Sequence, residues 1–253
     1  MRTFAIANQK GGSGKTTTCV NLAAALGEQE CRVLLVDLDP QHSATAWLGL
    51  KDAGKGVYGL FAEDALLADL VRQTNTPGVD LIPSSPWLVG VEKVLAGEVG
   101  AETILKRSLE ALPGGWDYVL VDCPPTLGVL TVNALAAVQE LLVPVEAHVM
   151  ALGGLAHLLN TVEVVRNRLN PELMVSGILA CRVDLRTRHA REVVEQLRER
   201  SGELVYRTFI RENIRLAECP SFGQPITQYD PKSAGAADYR ALAREIMEQE
   251  GSR

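Results

Sequence analysis

The chain has 253 residues, of which 47% are hydrophobic and 22% charged, and its formal net charge is −6. Those values suit one large α/β domain over residues 1–253, long enough to bury a substantial core. The acidic balance argues against a protein that coats nucleic acid with its whole surface, while leaving room for a local basic patch.

The first predicted strand, residues 3–8, runs into Gln9-Lys10-Gly11-Gly12-Ser13-Gly14-Lys15-Thr16-Thr17, and a helix over 15–29 follows. Strand, glycine-rich loop and helix in that order make a phosphate-binding loop. Gly11, Gly12 and Gly14 let consecutive backbone N–H groups, that of Ser13 among them, turn toward an anion. Lys15 adds positive charge for the β- and γ-phosphates of ATP. The Thr16 hydroxyl is placed to ligate Mg²⁺, and Thr17 continues a helix whose positive end faces the same anion. The ordinary pattern wants glycine at position 9, where this chain has Gln9, and a second lysine, Lys10, precedes the usual one. Lys10 cannot easily fold back onto its own nucleotide. It points to a partner's phosphates and hence to a homodimer.

The next strand, 32–37, ends in Asp37-Leu38-Asp39-Pro40-Gln41, and after a strand at 79–83 comes one at 118–122 that ends in Asp122-Cys123-Pro124-Pro125. Strand ends are where open α/β sheets hold their ligands. Asp122 stands where Mg²⁺ would be held, directly or through water. Asp39, on the turn beyond its strand, can orient or deprotonate the attacking water and reach the metal's water shell. Asp37 is placed to bond the phosphate loop from below. Phosphoryl transfer needs mostly positioning and charge neutralisation, which two lysines, Mg²⁺ and these carboxylates supply, so an ATPase is expected.

Further strands are predicted at 140–144, 175–182 and 206–210, with helices at 103–112, 130–137, 153–169, 190–200 and 233–249. Stretches 49–56 and 74–78 read as surface loops too short to divide the chain. Strands alternating with helices predict a mostly parallel, twisted sheet with helices on both faces, of the P-loop NTPase type. The five cysteines (Cys19, Cys31, Cys123, Cys181 and Cys219) show no C-x-x-C spacing. Their odd number and the lack of a signal peptide lead us to expect reduced thiols and a cytoplasmic location. The apolar region 132–159 is interrupted by Gln139, Glu140, Pro144, Glu146 and His148, and residues 244–250 are acidic. Neither a membrane span nor a basic amphipathic anchor is therefore expected.

These motifs resemble those of the ParA/Soj-type partition ATPases, in the ParA/MinD branch of deviant Walker A P-loop NTPases. The resemblance runs from Phe4 to Tyr239 and continues through Asn213-Ile214-Arg215-Leu216-Ala217-Glu218 and Pro220-Ser221-Phe222-Gly223. It implies an ATP-sandwiched dimer in which Lys10 reaches the partner's phosphates. It also implies binding to DNA without sequence preference on the nucleoid, hydrolysis stimulated by a ParB-like or other activating protein, and movement of DNA or another cargo. Residues 182–215 hold nine of the eighteen arginines against six acids. Most read as a solvated helical face, with Arg188–Glu192, Arg191–Glu195 and Glu195–Arg198 as expected pairs. Arg186 and Arg215 resemble the family's DNA-contacting positions. Two places depart from the family pattern: Arg211-Glu212 stands for Pro-Arg, and His42-Ser43 for Gly-Asn. Alternatives left open are a MinD-like membrane-surface switch, an iron–sulfur ATPase resembling nitrogenase iron protein, and a P-loop metabolic ligase.

Overall fold

The computed structural model describes residues 1–147 and 151–250, and His148 lies outside them. In chain order the elements are β1 (Arg2–Ile6), α1 (Lys15–Gly27), β2 (Val33–Asp37), α2 (Ser43–Trp47), α3 (Tyr58–Ala62), β3 (Arg72–Gln73) and β4 (Val79–Ile82). There follow α4 (Val91–Val94), α5 (Ile104–Glu110), β5 (Tyr118–Asp122), α6 (Val129–Ala137), β6 (Glu140–Glu146), α7 (Ala151–Arg168) and β7 (Met174–Cys181). The chain closes with α8 (Arg188–Ser201), α9 (Ile214–Phe222), α10 (Ile226–Tyr229) and α11 (Ala234–Glu250).

The strands form one seven-stranded sheet in the order β3-β4-β2-β5-β1-β6-β7, parallel throughout except for the two-residue edge strand β3. Strands β1, β2 and β5 are buried along their whole length, as sheet strands covered on both faces must be. Side chains alternate between the two faces. Phe4, Ile6, Val33 and Leu35 pack with α1, α2 and α11 through Leu22, Leu26, Trp47, Tyr239 and Ile246. Ala5, Ala7, Leu34 and Val36 enter the opposite core with Leu105, Leu130, Leu158 and Leu197. The expected architecture is present, and no described helix is long and apolar enough to cross a membrane.

Register positions the site. Ile6 on β1 and Asp37 on β2 both lie beside Asp122 on the intervening β5. The mouth of the phosphate loop and two carboxylates thus meet at the C-terminal edge of the sheet.

The expected strand at 206–210 is absent. Only Val205 and Arg211 make isolated parallel bridges, to Ile178 and Val183. Between them the Arg207 and Thr208 N–H groups donate to the Glu245 carboxylate on α11, 2.7 and 2.9 Å away, so this stretch is drawn off the ladder. Helix α9 lies where the sequence reading places no helix, and it carries Pro220 inside it. Asn213 starts it, its side chain accepting the Arg215 N–H at 2.9 Å, and Gly223 ends it at φ +65°. The Asn-Ile-Arg motif is therefore, first, a helix cap.

Candidate phosphate-binding and hydrolysis site

The loop between β1 and α1 bends through Gly12 and Gly14, whose φ angles of +76° and +93° lie in the region that favours glycine. Gly14 is the N-cap of α1 and offers no side chain, so the first-turn N–H groups remain available to an anion. Asn8 braces the loop from behind: its Nδ2 donates to the Pro144 carbonyl at 2.7 Å and its Oδ1 accepts the Lys10 N–H at 3.1 Å. A cleft of about 530 Å³ opens over the loop. Gly11, Gly12, Gly14, Lys15, Thr16 and Thr17 line one end with Asp39, and Cys181, Arg182 and residues 210–214 line the other.

At the floor the electrostatics are unbalanced. Both Asp122 oxygens and the Ser13 hydroxyl are buried without a hydrogen-bond partner. Burial pushes the Asp122 carboxyl well above the usual carboxylate range, and the nearby Asp37 and Asp39 charges add to this. The Thr16 hydroxyl, from outside good hydrogen-bonding geometry, and Lys15 pull it only partway back. Lys15 is itself 7% exposed, and burial lowers its pKa against the opposing pull of Asp122 and Asp39. An orphaned buried carboxylate beside a buried ammonium and an unpartnered hydroxyl is the donor set that a Mg²⁺–phosphate group satisfies. The residues present fit such a group.

Asp39 sits at the edge of this floor, its Oδ1 accepting the Gln41 N–H at 2.9 Å. Asp37 does not reach the phosphate loop. It accepts the Thr45 N–H at 2.9 Å, the Thr45 hydroxyl at 2.7 Å and the Asp39 N–H at 3.1 Å. The expectation that it braces the loop from below is corrected: its fully buried side chain is taken up by donors of α2 and of the turn that leaves β2. Burial raises its pKa to about 6 even against these hydrogen bonds. His42 caps α2 at φ +45°, which explains why a glycine suits that position.

Lys10 is held within its own chain. Its Nζ donates to Glu146 Oε2 at 2.8 Å, and Arg182 donates to Glu146 Oε1 at 3.0 Å. Glu146, like Asp37 and Asp122, is an acid at a strand end, the one signal in the sequence that marks this pair, whereas Arg182 carries none.

Arg186 and Arg215 do not line the cleft. Arg186 is bidentate to Asp184 at 2.8 and 2.9 Å, and Arg215 pairs with Glu218 at 2.9 Å. Of the expected helical pairs, Arg188–Glu192 forms at 2.7 Å. Arg191 and Arg198 donate instead to the carbonyls of Thr187 and Arg207. Arg211 turns inward and clamps Asp238 on α11 through Nε and Nη2, so the shifted arginine of the Arg211-Glu212 departure braces the fold.

Comparison with known proteins agrees with this geometry. A family model described as an AAA domain matches residues 1–175. The chromosome-partitioning ATPase Soj of Thermus thermophilus is 50% identical over 247 residues, 98% of this chain and 96% of that protein. The sporulation initiation inhibitor protein Soj of Bacillus subtilis is 45% identical over 245 residues, 96% of this chain and 97% of that one. Among solved structures, a cobyrinic acid a,c-diamide synthase from Mycobacterium smegmatis with bound ATP analogue and magnesium superposes with a TM-score of 0.87. It is 36% identical and covers 100% of this chain and 96% of that one.

Proposed function

Because this chain belongs to the ParA/Soj family of partition ATPases, we propose that residues 1–253 act as one deviant Walker A domain that switches between monomer and ATP-bound dimer. The dimer hydrolyses ATP to ADP and phosphate. While it lasts it binds DNA without sequence preference, and so positions DNA or another large cargo over the nucleoid of the cytoplasm. A ParB-like or other activating protein stimulates turnover. End-to-end identity of 45–50% with the Soj proteins, against 36% with the mycobacterial synthase, favours partition over a metabolic reaction.

The observation that carries the proposal is the buried, unsatisfied floor of the cleft: Asp122 and Ser13 without partners, beside Lys15. The N–H groups of residues 11–17 and the Lys15 ammonium bind the ATP phosphates. Thr16 and Asp122 would hold Mg²⁺, with Asp39 near its water shell, and the bound ion supplies the positive charge that the phosphate oxygens and carboxylates call for. Asp39 orients the attacking water, and Lys10 completes the partner's site.

For Lys10 to cross, it must leave Glu146. That pair is half-exposed, with side chains 39% and 23% accessible, and such a pair contributes about 0.2–1 kcal/mol. It is weak enough to exchange for a phosphate. Arg182 stays on Glu146, so the carboxylate is not stranded. Because each dimer must release two such pairs, Glu146→Gln is expected to lower the protein concentration at which ATP drives dimerisation by up to about thirtyfold. Lys10→Ala should still bind ATP but fail to dimerise. Light scattering of both variants with ATP checks this, and normal dimerisation of Lys10→Ala would remove the trans role.

The defining experiment is binding to a non-specific duplex without nucleotide, with ADP and with ATP, the ATP state being held by Asp39→Ala. Binding only with ATP is expected. With Arg186 and Arg215 from two subunits on four phosphates, affinity should fall on the order of 10²-fold between 50 and 200 mM salt. Arg215→Ala should flatten the salt slope by about 2. Binding that ignores nucleotide, or none in any state, would overturn the DNA switch and direct attention to a MinD-like membrane surface.

A further inference from the structure

Asp39 is anchored by a closed ring of hydrogen bonds that joins three separate segments of chain. Starting at the end of β2, the Asp37 carboxylate accepts both the N–H and the hydroxyl of Thr45 on α2, at 2.9 and 2.7 Å. Thr45 Oγ1 in turn accepts the Ser84 N–H at 2.9 Å, from the segment that follows β4. Ser84 Oγ donates to the Asp39 carbonyl at 2.7 Å, and the Asp39 N–H returns to Asp37 at 3.1 Å. Asp37 and Ser84 are wholly buried and Thr45 is 2% exposed. Within the ring, the Asp39 N–H is held by the Asp37 side chain two residues before it, and the Asp39 carbonyl, which also accepts the His42 N–H at 2.8 Å, is held from a separate segment by Ser84.

We propose that Thr45 and Ser84 are positioning residues for hydrolysis, setting where the Asp39 carboxylate stands over the cleft. The proposal rests on the reading of Asp39 as the group that orients water. Neither side chain lines the cleft, so neither touches substrate. Their effect runs through the Asp39 backbone. Thr45 is the hub, because one hydroxyl both donates to Asp37 and accepts from Ser84. Serine at position 45 can keep both bonds, and valine keeps the shape but neither. A displacement of about 1 Å at a catalytic group costs on the order of 10² in rate, so loss of the ring should act on turnover rather than on ATP affinity.

The test is single-turnover hydrolysis of MgATP, with ATP affinity and melting temperature measured on the same samples, for Thr45→Val, Thr45→Ser, Ser84→Ala, Asp39→Ala and the double variant Asp39→Ala/Ser84→Ala. Thr45→Val and Ser84→Ala should turn over about 10- to 10²-fold more slowly with ATP affinity within about twofold of the native chain. Thr45→Ser should recover most of the rate, and Ser84→Ala should slow Asp39→Ala no further. Ser84→Ala leaves both Thr45 bonds to Asp37 in place, and it carries the test should Thr45→Val fail to fold. Native turnover in folded Ser84→Ala, with Asp39→Ala inactive, would overturn this inference alone. Equal losses of rate and ATP affinity would also overturn it, by showing a merely structural role. Native turnover in Asp39→Ala would overturn the underlying reading and the inference with it.

Discussion

Asp39→Ala is expected to lower ATP turnover by about 10²- to 10³-fold while ATP stays bound and the dimer accumulates. The phosphates are held by the backbone N–H groups of the loop and by Lys15, none of which Asp39 supports through a hydrogen bond. What Asp39 adds is a carboxylate at the rim of the floor, 8% exposed, with one oxygen committed to the Gln41 N–H. Its removal leaves that N–H without an acceptor, at a cost of about 1 kcal/mol. It also relieves the repulsion that Asp39 exerts on both Asp37 and Asp122. The two effects oppose each other, so the fold should change little in stability and the loss should fall on the chemical step. Rapid-quench hydrolysis with light scattering in ATP reads both halves. Turnover within twofold of the native chain would show that water is oriented by another group.

The second large effect is an inversion of stability. Asp122→Asn should make the nucleotide-free protein more stable and the MgATP-bound protein less so. Burial and the Asp37 and Asp39 charges together outweigh Lys15 and Thr16, so ionised Asp122 is a net cost until a cation arrives. The sign follows from linkage. A carboxyl whose folded pKa is raised contributes stability below its unfolded pKa, near 3.9, and loses that contribution as pH climbs through the folded value. For Asp37, raised to about 6, the window is about pH 4 to 6, and for Asp122 the loss begins at the same lower limit and continues upward. The apo melting temperature of the native chain should therefore fall as pH rises through this range. The asparagine variant should match it near pH 4 and exceed it at pH 8 by on the order of 1–3 kcal/mol. For a chain of this size each kcal/mol moves the melting temperature by about 2–4 °C. MgATP at 100 times its Kd stabilises a binding-competent chain by about 2.7 kcal/mol, and the variant should lose that gain. Thermal melts at pH 4.5 and 8, with and without MgATP, check both signs. A lower apo melting temperature at pH 8 would contradict the account of the floor.

The distinction between the two carboxylates that predictions rest on was only partly visible in sequence. Asp39 and Asp122 were singled out because each follows an apolar strand on a proline-bearing turn. Asp37 carried the same signal and was assigned to the wrong neighbour, since the Thr45 hydroxyl that claims it lies on a short helix with no strong periodicity of its own. Ser84, between β4 and the 86–90 turn, had no motif to mark it. The misplaced strand at 206–210 has the same origin. Its apolar residues Tyr206, Phe209 and Ile210 suit a strand beside β7, and the Tyr206 and Ile210 amides do bond to β7 carbonyls, but Glu245 captures the amides of 207 and 208 from across the molecule.

By itself the sequence determined the phosphate loop, the alternation of strands and helices, and the two faces on which the core would form. Each of these is a short-range matter of glycine conformations, apolar periodicity and turn chemistry, contained within a dozen or so neighbouring residues. Only the tertiary structure decided which charges meet. Strand pairing sets Asp37 beside Asp122, helix α11 brings Asp238 to Arg211 and Glu245 to residues 207–208, and β6 carries Glu146 to Lys10. These partners are far apart along the chain, and the choice among them belongs to packing. A buried donor or acceptor bonds to whatever the folded core places within about 3 Å of it, and local sequence does not encode that neighbour.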